Sequence, residues 1–301
     1  MVHPVAPVAT MTPAGSPRYK ALFEELSRLG YAEGGGLVVD RWSAEGRAER
    51  LPAIAHEAVA LRPDAIFTTT APVGRALMAA TGSIPIVAIS NDFVGNGFTT
   101  SLSRPTANVT GVSIDAGVEI VGKRVELLRQ LAPAIVRLAY LGRAASWDGP
   151  DARFLRDVCA QLGVAVFPVL GGGTIDEAAY LAAFATAAAE RADSLLVAAQ
   201  AENTVYQRLI VASAARTRLP AIHESRDWVE VGGLMSYGID PRNTYRQVGA
   251  ALARILSGAS PRDIPFNQPT RFELVINQRT ARALGYEIPP LLTERADEVI
   301  E

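Results

Sequence analysis

Short apolar runs alternate along the chain with longer stretches in which apolar residues recur at helical spacing. Leu22, Phe23, Leu26 and Leu29 share one face of a helix that Gly30 stops. Strand-like runs follow at 37–42, 64–70 and 84–89, with helices at 51–61, ended by Arg62-Pro63, and at 72–81. A further β-rich piece spans 108–114, and the alternation then restarts. Val118, Val121, Val125, Leu128 and Leu131 mark a helix, followed by a strand at 136–141, a helix at 154–162 and a strand at 164–170. An alanine-rich helix at 174–191 leads to strands at 194–199, 221–222 and 234–237. A helix at 244–256 turns Tyr245, Val248, Leu252 and Ile255 inward, and a strand at 272–276 and a helix at 280–284, ended by Gly285, complete the pattern. Such alternation predicts an α/β fold whose parallel strands are joined by right-handed crossovers. The weakest element is the first strand, at 5–10, because Pro4 and Pro7 cannot donate to a ladder.

In open α/β sheets ligands bind outside the carboxyl ends of the strands, and several predicted strand ends here are polar. Ser16 lies in the loop after the first strand, and Thr69 and Thr70 end the third, just before Pro72 opens a helix. Hydroxyls and free amides at a helix start suit a carboxylate, although β propensity and capping also account for threonines there. Ser90, Asn91 and Asp92 follow the 84–89 run; they either line a ligand or close a turn. Farther along, Arg143, Trp147, Gln200, Glu224 and Tyr237 occupy equivalent places. Arg143 or Arg226 would pair bidentately with a ligand carboxylate, and Asp92, Glu202, Glu224 or Asp227 with an ammonium. Phe93, Trp147 and Trp228 stack on an aromatic ligand or simply pack; Trp147 stands apart because it follows Ser146 in a loop.

At 301 residues the chain is long enough for two domains. A net charge of -2 removes the basic field that nucleic-acid binding requires. No apolar run reaches the roughly 18 residues of a membrane-spanning helix. The lone Cys159 falls in the helical pattern Phe154, Leu155, Val158, Cys159, Leu162 and reads as a buried small hydrophobe. His3 and His56 have no metal-ligand spacing; His223, beside Glu224 and Asp227, is the one candidate general base. No nucleophile elbow, Walker A sequence or CxxC pair is present, Gly171-Gly172-Gly173 reads as a turn, and Asn108-Val109-Thr110 reads as strand although it matches a glycosylation sequon. No catalysis, cofactor or metal is expected.

Four ordered words carry a resemblance: Asp92-Phe93-Val94-Gly95-Asn96-Gly97; Arg104-Pro105 with Asn108-Val109-Thr110-Gly111; Gly232-Gly233-Leu234-Met235-Ser236-Tyr237-Gly238; and Gln268-Pro269-Thr270-Arg271-Phe272-Glu273-Leu274-Val275-Ile276-Asn277. With these the chain, from about residue 19 to 301, resembles the ABC-transporter substrate-binding family that includes tryptophan-type binding proteins. The resemblance implies a type I periplasmic binding protein, with two Rossmann-like lobes of parallel sheet joined by a three-crossing hinge and closing on a solute in the cleft. The lobes are expected at 1–112 plus 234–260 and at 113–233 plus 261–301. A small aromatic amino acid or aromatic carboxylate is the implied solute, an ABC permease with its ATPase the implied partner, and a periplasmic monomer the implied state. Residues 1–7 lack the basic and apolar regions of a secretory signal; the resemblance implies that an export signal precedes the mature sequence. Two departures bear on the ligand: Thr106-Ala107 stands where the family has two glycines, and the first strand carries prolines. A ligand-sensing domain of a signalling system, and a hydrolase or isomerase using His223 with Glu224, are the alternatives.

Overall fold

The computed structural model describes residues 1–173, 175–268 and 272–301. The chain forms two units, Met1–Asp115 with Pro241–Thr270, and Ala116–Asp240 with Arg271–Glu301. The expected crossing near Arg271 and the expected helix start at Thr174 lie outside the described residues.

The first unit holds β1 (Val2–His3), β2 (Trp42–Ser43), β3 (Ile66–Thr68), β4 (Ile86–Ser90) and β5 (Val109–Ser113). They pair in parallel in the order β2-β1-β3-β4-β5. Every residue of β3, β4 and β5 is buried, the signature of a parallel sheet covered on both faces. Alternate residues feed opposite cores. Val87 and Ile89 join Leu22, Phe23 and Val248, whereas Ile86 and Ala88 join Ile54, Val73 and Leu77. The helices Pro17–Arg28 and Pro241–Leu256 pack together on the first face, where the Tyr245 ring meets Tyr19 and Phe67 edge-on at 5.4 and 5.7 Å. The first strand is displaced from its expected place. It is Val2–His3, and Val8–Thr10 is a 3-10 turn. Pro4 and Pro7 cannot continue the ladder, and the His3 Nδ1 instead accepts the Val5 and Ala6 amides at 3.0 and 2.6 Å.

The second unit holds β6 (Arg137–Leu141), β7 (Ala165–Pro168), β8 (Ser194–Val197), β9 (Ala221–His223), β10 (Met235–Gly238), β11 (Glu273–Asn277) and β12 (Glu298–Ile300). The order is β12-β11-β10-β9-β8-β6-β7. All neighbours pair in parallel except β10 and β11, which are antiparallel. The sheet is therefore mixed, not wholly parallel as the alternation implies. The chain between β10 and β11 is the Pro241–Thr270 segment of the other unit, so the rule that makes βαβ units parallel does not govern this pair. Cys159 is fully buried in this unit's core, and burial pushes its thiol up to about 11.

Three stretches differ from the expected lobes, the first being 113–115, which closes the first unit. Residues 234–240 belong with the second unit, because β10 is hydrogen-bonded between β9 and β11. Residues 261–268 belong with the first, because they run along β5: the Thr110 hydroxyl donates to the Ile264 carbonyl at 2.6 Å, and Ser113 N–H to that of Asn267 at 2.7 Å.

Candidate functional site

In the first unit β3 ends at Thr68, and the helix Ala71–Ala80 begins three residues later. Thr70 stands at its N-cap, yet its side chain makes no capping bond. The Oγ1 atoms of Thr68, Thr69 and Thr70 are all buried without a hydrogen-bond partner among the described residues. A buried hydroxyl left unpaired is costly, and the first amides of a helix have no intrahelical acceptor. Hydroxyls and helix-start amides are donors that an anionic oxygen would satisfy. Ser16 is engaged differently, as the N-cap of Pro17–Arg28, where its Oγ accepts the Tyr19 amide at 3.4 Å.

At the end of β4 the buried Ser90 hydroxyl accepts from Asn96 Nδ2 at 3.3 Å. Asp92 closes the turn that follows: its Oδ1 accepts the Gly95 amide at 2.7 Å and its carbonyl accepts Asn96 Nδ2 at 2.6 Å. Phe93 is buried between Phe98 and Phe266 and packs rather than facing solvent. Asn91 and Asp92 are exposed and line, with Ser113 and Asp115, a cavity of about 130 Å³.

In the second unit the expected residues fall into two groups at the carboxyl edge of the sheet. The Gln200 side chain accepts the Arg143 amide at 2.9 Å and donates to Ser146 Oγ at 2.7 Å, while the Arg143 guanidinium pairs with Glu202 at 2.9 Å. Trp147 lies against Tyr140 at 5.4 Å and under the Arg156 guanidinium at 4.7 Å. The other group surrounds β9 and β10. Glu224 Oε1 accepts the Trp228 indole N–H at 2.8 Å, and the Tyr237 carbonyl accepts from Arg124 Nε at 2.8 Å. Arg226 is not available to a ligand carboxylate in this arrangement. It reaches Glu230, Glu273 and Glu298 at 3.1, 3.3 and 2.6 Å.

His223 is fully buried, its ring stacked on Trp228 at 4.7 Å with planes 10° apart. Neither ring nitrogen has a hydrogen-bond partner among the described residues. Burial, and then the Arg124 charge, push its pKa down to about 3. A sealed imidazole of that basicity is no general base, which removes the reading of the chain as a His223 hydrolase or isomerase.

Two residues, Thr68 in the first unit and Arg124 in the second, have no place among the sequence-based candidates. Thr68 reads only as the end of an apolar strand. Arg124 lies in the apolar series Val121, Val125, Leu128, yet is only 5% exposed. An arginine on the inward face of a predicted helix was the available signal, since buried arginine is rare unless paired.

Residues 8–300 match the family described as ABC transporter substrate binding protein. Among curated proteins, the tyrosine-binding protein of Clostridioides difficile is 24% identical over 272 residues, 89% of this chain and 76% of that one. Among solved structures, the ABC domain of Streptococcus pneumonia in complex with L-Trp aligns with a TM-score of 0.81 at 23% identity, over 99% of this chain and 98% of that one. A conserved domain protein of Vibrio cholerae aligns with a TM-score of 0.82 at 25% identity, again over 99% and 98%.

Proposed function

The chain belongs to the family of ABC transporter substrate-binding proteins, which bind solutes and are not enzymes, and from that premise we propose that its solute is a small aromatic amino acid, which it hands to an ABC permease outside the cytoplasm. The carrying observation is the set of buried, unpartnered hydroxyls of Thr68, Thr69 and Thr70 at the start of the helix Ala71–Ala80. Their position suits a carboxylate, which the helix start also favours electrostatically. Glu224 supplies the opposite charge for an ammonium. The tyrosine-binding relative and the L-Trp-bound neighbour support an aromatic side chain. Among the described residues no helix is long and apolar enough to cross a membrane.

Thermal unfolding in the presence of L-tyrosine, L-tryptophan, 3-(4-hydroxyphenyl)propanoate, indole-3-propanoate, L-leucine and ribose tests this reading. A ligand at 100 times its Kd stabilises by about 2.7 kcal/mol, a shift of about 4 °C for a chain of this size. The aromatic amino acids are expected to give that shift. A shift with leucine or ribose alone would assign a different solute, and equal shifts with the deaminated acids would remove the ammonium from the reading.

Thr70→Val separates the carboxylate site from the fold. Among the described residues the hydroxyl has no partner, so its loss removes an unpaired buried group and is expected to leave the unliganded Tm unchanged or raised. Aromatic amino acid affinity is expected to fall about tenfold, the weight of one hydrogen bond to a charged group. Unchanged affinity, measured by calorimetry, would move the carboxylate elsewhere.

A further inference from the structure

Glu224 stands at the carboxyl end of β9, and three neighbours fix where it can be. The fully buried Trp228 donates its indole N–H to Oε1 at 2.8 Å, and its ring is held flat against His223 at 4.7 Å. The donor therefore has one direction. Gly238 in β10 lies so close that a Cβ there would stand 1.8 Å from the Glu224 carbonyl oxygen and 3.3 Å from an Arg124 guanidinium nitrogen. Arg124, buried beside this corner, is itself pinned by its Nε–H bond to the Tyr237 carbonyl at 2.8 Å. The indole is neutral, so it orients the carboxylate without cancelling its charge, and the Arg124 guanidinium attracts it.

Resting on the reading of the chain as an amino-acid-binding protein, we infer that Trp228 and Arg124 are positioning residues: they hold the Glu224 carboxylate in the rotamer that meets the ligand ammonium, and so set the preference for amino acids over the same acids lacking the amino group. A glutamate free to turn would lose side-chain freedom on binding; one already held does not, and the difference appears as affinity. A buried indole N–H also needs an acceptor for its own sake. If that were its whole role, the Trp228–Glu224 bond would serve folding and leave ligand choice untouched.

The two roles separate in a calorimetric titration of the full chain with L-tyrosine and with 3-(4-hydroxyphenyl)propanoate, and likewise with L-tryptophan and indole-3-propanoate. Trp228→Phe keeps an aromatic ring and removes the N–H. It is expected to weaken binding of the amino acids about tenfold and of the deaminated acids less than twofold. Glu224→Gln is expected to lose at least as much, and the double variant no more than Glu224→Gln alone, since Trp228 acts through Glu224. Additive losses, or a wild-type ratio of the two affinities retained in Trp228→Phe, would overturn the positioning role. Should Trp228→Phe not fold, Arg124→Lys decides by the same ratio: a reduced ratio is expected and an unchanged one overturns the inference. Wild-type protein that binds neither amino acid would overturn the amino-acid reading and this inference with it. Wild-type protein that prefers the amino acids while both variants keep that preference sinks the inference alone.

Discussion

Replacing Gly111 by alanine is expected to destabilise the protein by about 4 kcal/mol or more and to lower Tm by roughly 6 °C or more. Gly111 sits in the middle of β5, paired with Ala88 of β4. A Cβ at this position would stand 1.8 Å from the Ala88 carbonyl oxygen and 2.8 Å from its carbonyl carbon and amide nitrogen. Those atoms are backbone and cannot swing aside. Ala88 is fully buried and is paired on its other edge with Thr68 of β3, so relief requires the strands to part. Overpacking where side chains can rotate typically costs 1–3 kcal/mol, and a rigid obstacle takes the cost beyond that range. Gly171 is the control: no atom of the described residues lies within 4 Å of a Cβ there, and Gly171→Ala is expected within about 0.5 kcal/mol of the parent. Thermal and urea unfolding of both variants check the pair. A Gly111→Ala protein melting within about 2 °C of the parent would mean that β4 and β5 do not pair in this register.

The same glycine shows what the sequence makes legible and where it stops. Gly111 marks the point where one group of βα units gives way to another, and the chain does pass into the second unit shortly after, at Asp115. Its local role, letting two backbones approach, depends on a partner strand more than twenty residues away and leaves no periodic signal. Helix faces read well because apolar spacing is local: Leu22, Phe23 and Leu26 are buried as the pattern requires, whereas Leu29, at the helix end, is 38% exposed. The short helices Ala201–Val205 and Arg226–Glu230 are too brief to show a period, and β10 carries no mark of which unit will claim it.

In the candidate site, residue type and strand-end position pointed to Thr69, Thr70 and Glu224. Partners decide what such residues are able to do, and partners come from tertiary packing. Asp92 looks like an ammonium ligand and is bound to the Gly95 amide; Arg226 looks like a carboxylate clamp and is held by Glu230, Glu273 and Glu298. Arg124 looks like a stray charge on an apolar face, yet its Nε holds the Tyr237 carbonyl.

His223 gives the second large effect, a dependence of stability on pH. Its pKa falls to about 3 in the folded protein, chiefly by burial and then through Arg124, against an ordinary 6.5 in the unfolded chain. Between those values the unfolded state binds the extra proton, so stability is full above the unfolded pKa and declines as pH falls. The loss between pH 6.5 and pH 5 is roughly 1.5 kcal/mol, and it continues at about 1.4 kcal/mol per pH unit toward pH 3. His3, lowered to about 4 by burial and Arg18, adds a decline of the same sign. Glu273 works the other way, because burial raises its carboxyl and its protonation in acid favours the folded state. The difference between parent and a His223→Gln variant removes these shared contributions. Urea midpoints at pH 7.5, 6.5, 5.5 and 5 are expected to fall more steeply for the parent than for His223→Gln, whatever the variant's stability at pH 7.5. Parallel profiles would show that the imidazole already titrates near 6.5 in the folded protein, and hence that the corner around Trp228, Arg124 and Glu224 admits water.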